Sequence, residues 1–126
     1  MLIIEDGAIS ITKGDDAALN VDIAAGESGD QAYEMGENDV LTLTVREQPS
    51  TDFPVLLQVN GLPGSKRILI RSADTEGLEP GRYSADVQLT DGNGNIYTVW
   101  PELEGSARYK VKNLKNFIIM PEVTAK

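Results

Sequence analysis

"LEPGRYSADVQLTDGNGNIYTVW", residues 78–100, reads as a turn, a strand, a second turn and a second strand, and it decides the fold class. Tyr83, Ala85, Val87 and Leu89 alternate with Ser84, Asp86, Gln88 and Thr90. A period of two is that of a strand with one face in a core and one in water. Asn93-Gly94, between the two runs, is a strong hairpin signal because both residues tolerate positive φ.

The same period extends outward in both directions. It predicts strands over 8–12, 18–23, 40–46, 55–59, 67–71, 82–90, 96–100 and 107–111, with a ninth at 117–120. In "VLTLTVR" (40–46), for example, Leu41, Leu43 and Val45 alternate with Thr42, Thr44 and Arg46. The stretches between, such as "GESGDQ" (26–31), "REQPSTDFP" (46–54), "NGLPGSK" (60–66) and "TDGNGN" (90–95), are rich in turn formers. Long 3.6-period runs are missing, so strands at this spacing without crossover helices predict an all-β chain. The expected architecture is an antiparallel β-sandwich of about seven to nine strands. One domain over residues 1–126 is expected, since a chain of that length can enclose a single core.

Two features of the opening stretch have competing readings. Leu-x-Pro-Gly-x-Tyr (78–83) resembles the tyrosine corner of immunoglobulin-like sandwiches, whose Tyr hydroxyl bonds back to the backbone just upstream. Tyr83 is therefore expected to be structural. Asp91, Asn93 and Asn95 stand at positions 1, 3 and 5 of a calcium-loop pattern, with Glu102 at position 12. Position 6 should be Gly and is Ile96, from which the chain alternates as a strand and carries Glu102 away. The loop is expected to connect two strands, with no metal bound.

Composition removes most catalytic designs. The chain has no cysteine and no histidine, which excludes disulfides, thiolate and imidazole metal sites, a cysteine nucleophile and a Ser-His-Asp triad. "GESG" (26–29) lacks the spacing of a nucleophile elbow, and "GLPGSK" (61–66) runs into "RILI", a strand where a phosphate loop needs a helix. Asp15, Asp16, Asp30, Glu34, Glu37 and Asp39 could pair for glycoside hydrolysis, but only Tyr33 lies near them as a stacking group. They are expected to form a solvated acidic rim. Trp100, at a strand end beside Pro101, is expected at a core edge or an interface. The reading is noncatalytic, with no catalytic, cofactor-binding or metal-binding residue assigned.

Charge is uneven along the chain. Residues 1–50 carry 11 acidic and 2 basic side chains and residues 51–126 carry 9 of each, so the net −9 arises in the first part. Such an excess repels phosphate and anionic lipid, so neither nucleic acid nor membrane is an expected partner. No apolar run is long enough to span a bilayer, and MLIIEDGAIS lacks a basic leader, so no signal peptide is expected. Arg108, Lys110 and Lys112 share one face of the predicted 107–111 strand and its flank, with Lys115 nearby. A charged strand face of this kind is ordinarily solvated; the alternative is contact with the acidic part of a neighbouring subunit.

Four stretches, in order, carry a family resemblance: "ISITKGDDAALNVDI" (9–23), "YEMGENDVLTLTVR" (33–46), "DTEGLEPGRYSADVQLTDGNGNIYTV" (74–99) and "GSARYKVKNLKNFIIMPEVT" (105–124). Together they resemble a small domain of tail and baseplate proteins of phages and prophages of Gram-positive bacteria, as in the N-terminal part of upper baseplate proteins. That pattern has a Gly-Asp-containing first hairpin and often an aromatic before the Asp of its central strand, where this chain has Ala85. The resemblance implies an immunoglobulin-like sandwich that acts as an assembly module of a virion tail, assembled in the host cytoplasm. It further implies a homo-oligomer with ring or trimeric symmetry, other tail or baseplate subunits as partners, and no cofactor. The apolar N-terminal arm Met1 to Ile4 is a candidate for pairing with another subunit's sheet edge. The alternative is an immunoglobulin-like binding module, for cell-surface carbohydrate or calcium-stabilised as in adhesins.

Overall fold

A computed structural model of the chain describes residues 2–5, 8–25, 31–100 and 116–121. Among them are eleven strands and one short helix: β1 (Leu2–Glu5), β2 (Ala8–Thr12), β3 (Ala17–Asn20), β4 (Ala24–Ala25), β5 (Gln31–Ala32), β6 (Val40–Arg46), β7 (Val55–Asn60), β8 (Arg67–Ile70), α1 (Ser72–Glu76), β9 (Gly81–Thr90), β10 (Ile96–Trp100) and β11 (Phe117–Met120). The fold is the expected all-β sandwich. The strands predicted at 8–12, 40–46, 96–100 and 117–120 have those bounds, and four others differ by one to three residues at an end. The predicted 107–111 strand, Lys115 and Glu102 lie outside the described residues. No described helix is long and apolar enough to cross a membrane.

One sheet follows the path β1-β2-β11-β9-β6-β7, with β10 alongside β9 as a seventh strand. A second sheet pairs β3 with β8, and β4 pairs with β5 in a short ladder of its own. All the ladders are antiparallel except β2 with β11, which run parallel, so the large sheet is mixed where antiparallel pairing was expected. The alternation read from the sequence is the burial observed. Leu41, Leu43 and Val45 of β6 are fully buried, and Thr42, Thr44 and Arg46 on the other face are half-exposed. They join Ile9, Ile11, Leu19, Val21, Leu57, Ile68, Ile70, Ala85, Val87, Leu89, Phe117 and Ile119 in one cluster drawn from both sheets. Burying such a side chain stabilises the fold by about 1.5–3 kcal/mol.

Two connections depart from expectation. The Gly14-Asp15 turn was expected to close a first hairpin, but β2 and β3 do not pair. The turn carries the chain from one sheet to the other, with Gly14 at φ 85 and its N–H donating to the buried Thr75 hydroxyl at 3.0 Å. Thr75 belongs to α1, the unpredicted helix. Asp74 caps that helix by accepting the Arg71 N–H at 2.7 Å, and Asp16 accepts the Ser72 N–H at 2.7 Å. Helix ends leave N–H groups without intrahelical partners, and these two carboxylates satisfy them.

β9 takes part in three ladders, the one with β10 running over Val87 to Thr90. Residues 81–83 pair with β11, and residues 84–90 pair with β6. At the changeover Ser84 and Ala85 are both buried, which breaks the alternation. There the buried Asn116 side chain accepts from the Ala85 N–H at 2.7 Å and donates to the Ala85 carbonyl at 2.9 Å. Ala85 stands opposite Val45 of β6, and its bonding groups are taken up by the Asn116 amide, which thereby substitutes for a strand residue.

Candidate interaction surface

Tyr83 forms the expected corner. Its hydroxyl donates to the Glu79 carbonyl at 2.5 Å, and burial, followed by the charges of Glu79 and Glu47, raises its pKa. The bond ties the lead-in of β9 to its first turn, a structural duty. Trp100 is half-buried against the core, one bulge beyond the register in which Tyr97 faces Leu89, which fits a core-edge residue.

The 91–95 loop closes on itself. Asp91 Oδ1 accepts from the N–H groups of Asn93 and Asn95, each at 2.9 Å, and Oδ2 accepts from the Asn95 side-chain amide at 3.3 Å. Gly94, at φ 85, donates its N–H to the Asp91 carbonyl at 3.0 Å, and the Asp91 N–H donates to the Asn95 carbonyl at 2.9 Å. This is the Asx chemistry of a turn, in which both carboxylate oxygens face donors of the loop. Among the described residues no three acidic side chains gather as a metal site.

Of the acidic residues read as a solvated rim, Asp16, Glu34 and Glu37 are exposed and Asp15 is half-buried. Asp30 lies outside the described residues. Asp39 is a correction: it is 5% exposed, with its carboxylate turned inward. Its Oδ2 accepts from the Tyr33 hydroxyl at 2.5 Å and the Gly36 N–H at 2.8 Å, and its Oδ1 accepts from the Gly92 N–H at 3.2 Å. The Asp39 carbonyl also accepts the N–H of Gly64, whose φ is 80. One residue thus fastens three loops at one end of the sandwich. The bonds from Tyr33 and Gly36 hold its pKa below the ordinary 3.8, and the same contact raises that of Tyr33. Nothing in the local sequence distinguishes Asp39 from Glu37 except that it immediately precedes a strand.

The apolar N-terminal arm is not free along its described part. Leu2–Glu5 pairs antiparallel with β2, Leu2 opposite Ile11 and Ile4 opposite Ile9, and among the described strands it stands at the end of the sheet. The opposite end of the same sheet is β7. Phe53, Val55, Leu56 and Leu62, on β7 and beside it, are exposed, as are Ile96 and Tyr97 on β10 and Ile4 on β1. None of the six residues of β7 or the five of β10 is charged. Soluble proteins commonly protect open sheet edges with charged residues, above all lysine, and strands without them are ready to pair with another chain. The basic residues that are candidates for contact with an acidic neighbour, Arg108, Lys110, Lys112 and Lys115, lie outside the described residues.

No family model matches the chain, and no curated protein or solved structure was found similar to it.

Proposed function

We propose that this chain is a noncatalytic assembly module that binds other protein subunits, in the manner of the phage and prophage baseplate domains its sequence resembles. The observation that carries the reading is the uncharged, apolar make-up of β7 and β10, in a chain where 25% of residues are charged. Exposed apolar residues clustered along an open strand point to a contact surface. On this reading the partners are other tail or baseplate subunits, including further copies of the chain, and the protein works in a virion. The acidic excess of residues 1–50 and the basic residues at 108–115 support a head-to-tail contact that adds to edge pairing. Its test is the triple reversal Arg108→Glu, Lys110→Glu and Lys112→Glu: a smaller particle, held by edge pairing alone, is expected, and an unchanged particle mass contradicts the charged contact.

A further inference from the structure

From Phe53 to Ser65 the chain carries no charged side chain, a run of thirteen residues and the longest of its kind in the sequence. Of the eight large apolar side chains that stand exposed among the described residues, Phe53, Val55, Leu56 and Leu62 fall within it. Its strand, β7, pairs with β6 alone among the described strands. The direction of its backbone groups follows from the register. Gly61 donates its N–H to the Leu41 carbonyl at 2.7 Å, and Val59 and Leu57 stand opposite Leu43 and Val45. In an antiparallel ladder the bonding groups alternate, so Leu57 and Val59 point theirs at β6 while Gln58 and Asn60 point theirs out of the sheet.

We propose that this edge pairs antiparallel with β7 of a second copy of the chain. The inference rests on the association reading above and names the surface and the partner. A two-fold contact sets each residue near its own copy or its symmetry mate, so an acidic strip would oppose itself. In a chain of net charge −9, an uncharged strip removes that repulsion. The strip is bounded by Asp52 at its start and Lys66 at its end. Antiparallel pairing brings the Asp52 end of one copy toward the Lys66 end of the other, whereas parallel pairing sets like ends together. Arg46, also near the first end, is bonded to the Phe53 carbonyl at 2.5 Å. A register centred on Gln58 lets the two copies exchange the outward groups of Gln58 and overlaps nearly the whole strand. β1 is a shorter edge that carries Glu5, and β10 continues into residues outside the described set.

The experiment compares the full chain with Gln58→Pro and, separately, Leu56→Lys, by light scattering for mass and by amide hydrogen exchange. Proline at 58 removes an N–H that faces away from β6, so the sheet's own ladder is kept. Lysine at 56 charges the edge without touching the ladder. The expected result is a wild-type dimer whose Gln58 and Asn60 amides exchange more slowly as concentration rises. Both variants lose at least about tenfold in dimer affinity, equivalent to about 1.4 kcal/mol, with an unchanged circular dichroism spectrum. An oligomer that persists in Leu56→Lys and in folded Gln58→Pro overturns the β7 contact and leaves association through another surface standing. A wild-type monomer at every concentration overturns self-pairing itself.

Discussion

Asn116 and Ala85 exchange two hydrogen bonds, 2.7 and 2.9 Å long, between a side-chain amide and a backbone, at the point where β9 passes from its ladder with β11 to its ladder with β6. The Asn116 carbonyl also accepts the Ile9 N–H at 2.8 Å, so this residue holds β2 and β9 to the start of β11. Asn116→Ala would leave the buried donor and acceptor of Ala85 without partners, at about 2–4 kcal/mol for the two together. Urea denaturation measures it. A loss below about 0.5 kcal/mol would show that the amide contributes only local packing.

Tyr83→Phe removes the hydroxyl that reaches the Glu79 carbonyl and keeps the ring. The bond lies at the surface, where water can replace it, so the expected loss is about 0.5–1.5 kcal/mol with the fold unchanged. Thermal melting of the two proteins side by side checks this. No change in Tm would show that the corner is fixed by Pro80 and ring packing alone.

How much was legible follows from residues such as these. The corner could be read because Leu-x-Pro-Gly-x-Tyr places its donor and acceptor within one turn, and the core could be read because Leu41, Leu43 and Val45 obey a period of two. The Asn116 contact spans 31 positions and has no local pattern. The helix was missed because a five-residue element has too few positions to show a period, and its cap, Asp74, resembles any loop acid. β1 was read as an unpaired arm because pairing is decided by what lies beside a strand. The charge-free run 53–65 was visible in the sequence, but it is split between a strand and two loops and signifies an open edge only once β7 is placed at the end of the sheet.

Asp39→Asn tests the fastening of the three loops, with a fixed sign in pH. A carboxyl whose folded pKa is depressed contributes stability above its unfolded value, and that contribution is lost as pH falls through the folded one. The variant should melt several degrees below wild type at neutral pH, with the gap closing below pH 3.8. Asp86 has the opposite sign, because burial raises its pKa against the opposing charge of Arg46. Asp86→Asn should raise Tm at neutral pH and lose that advantage in acid. A Tm gap for Asp39→Asn that is constant down to strong acid would contradict the ionised role of Asp39.

Calcium separates the hairpin from the metal loop. An ion bound only by the folded chain would add about 2.7 kcal/mol at a hundredfold excess over its Kd. Both Asp91 oxygens are engaged within the loop, so Tm is expected to be the same in calcium and in chelator. Calcium-dependent stabilisation that disappears in Asp91→Ala would favour the adhesin-type reading.

Absolute mass in solution, by light scattering coupled to size exclusion over a concentration series at low and high salt, tests the central claim of subunit association most directly. The account predicts a fixed multiple of the subunit that dissociates on dilution, with salt weakening any head-to-tail charge contact and leaving the uncharged edge pairing in place. A monomer at every concentration and salt would contradict self-association.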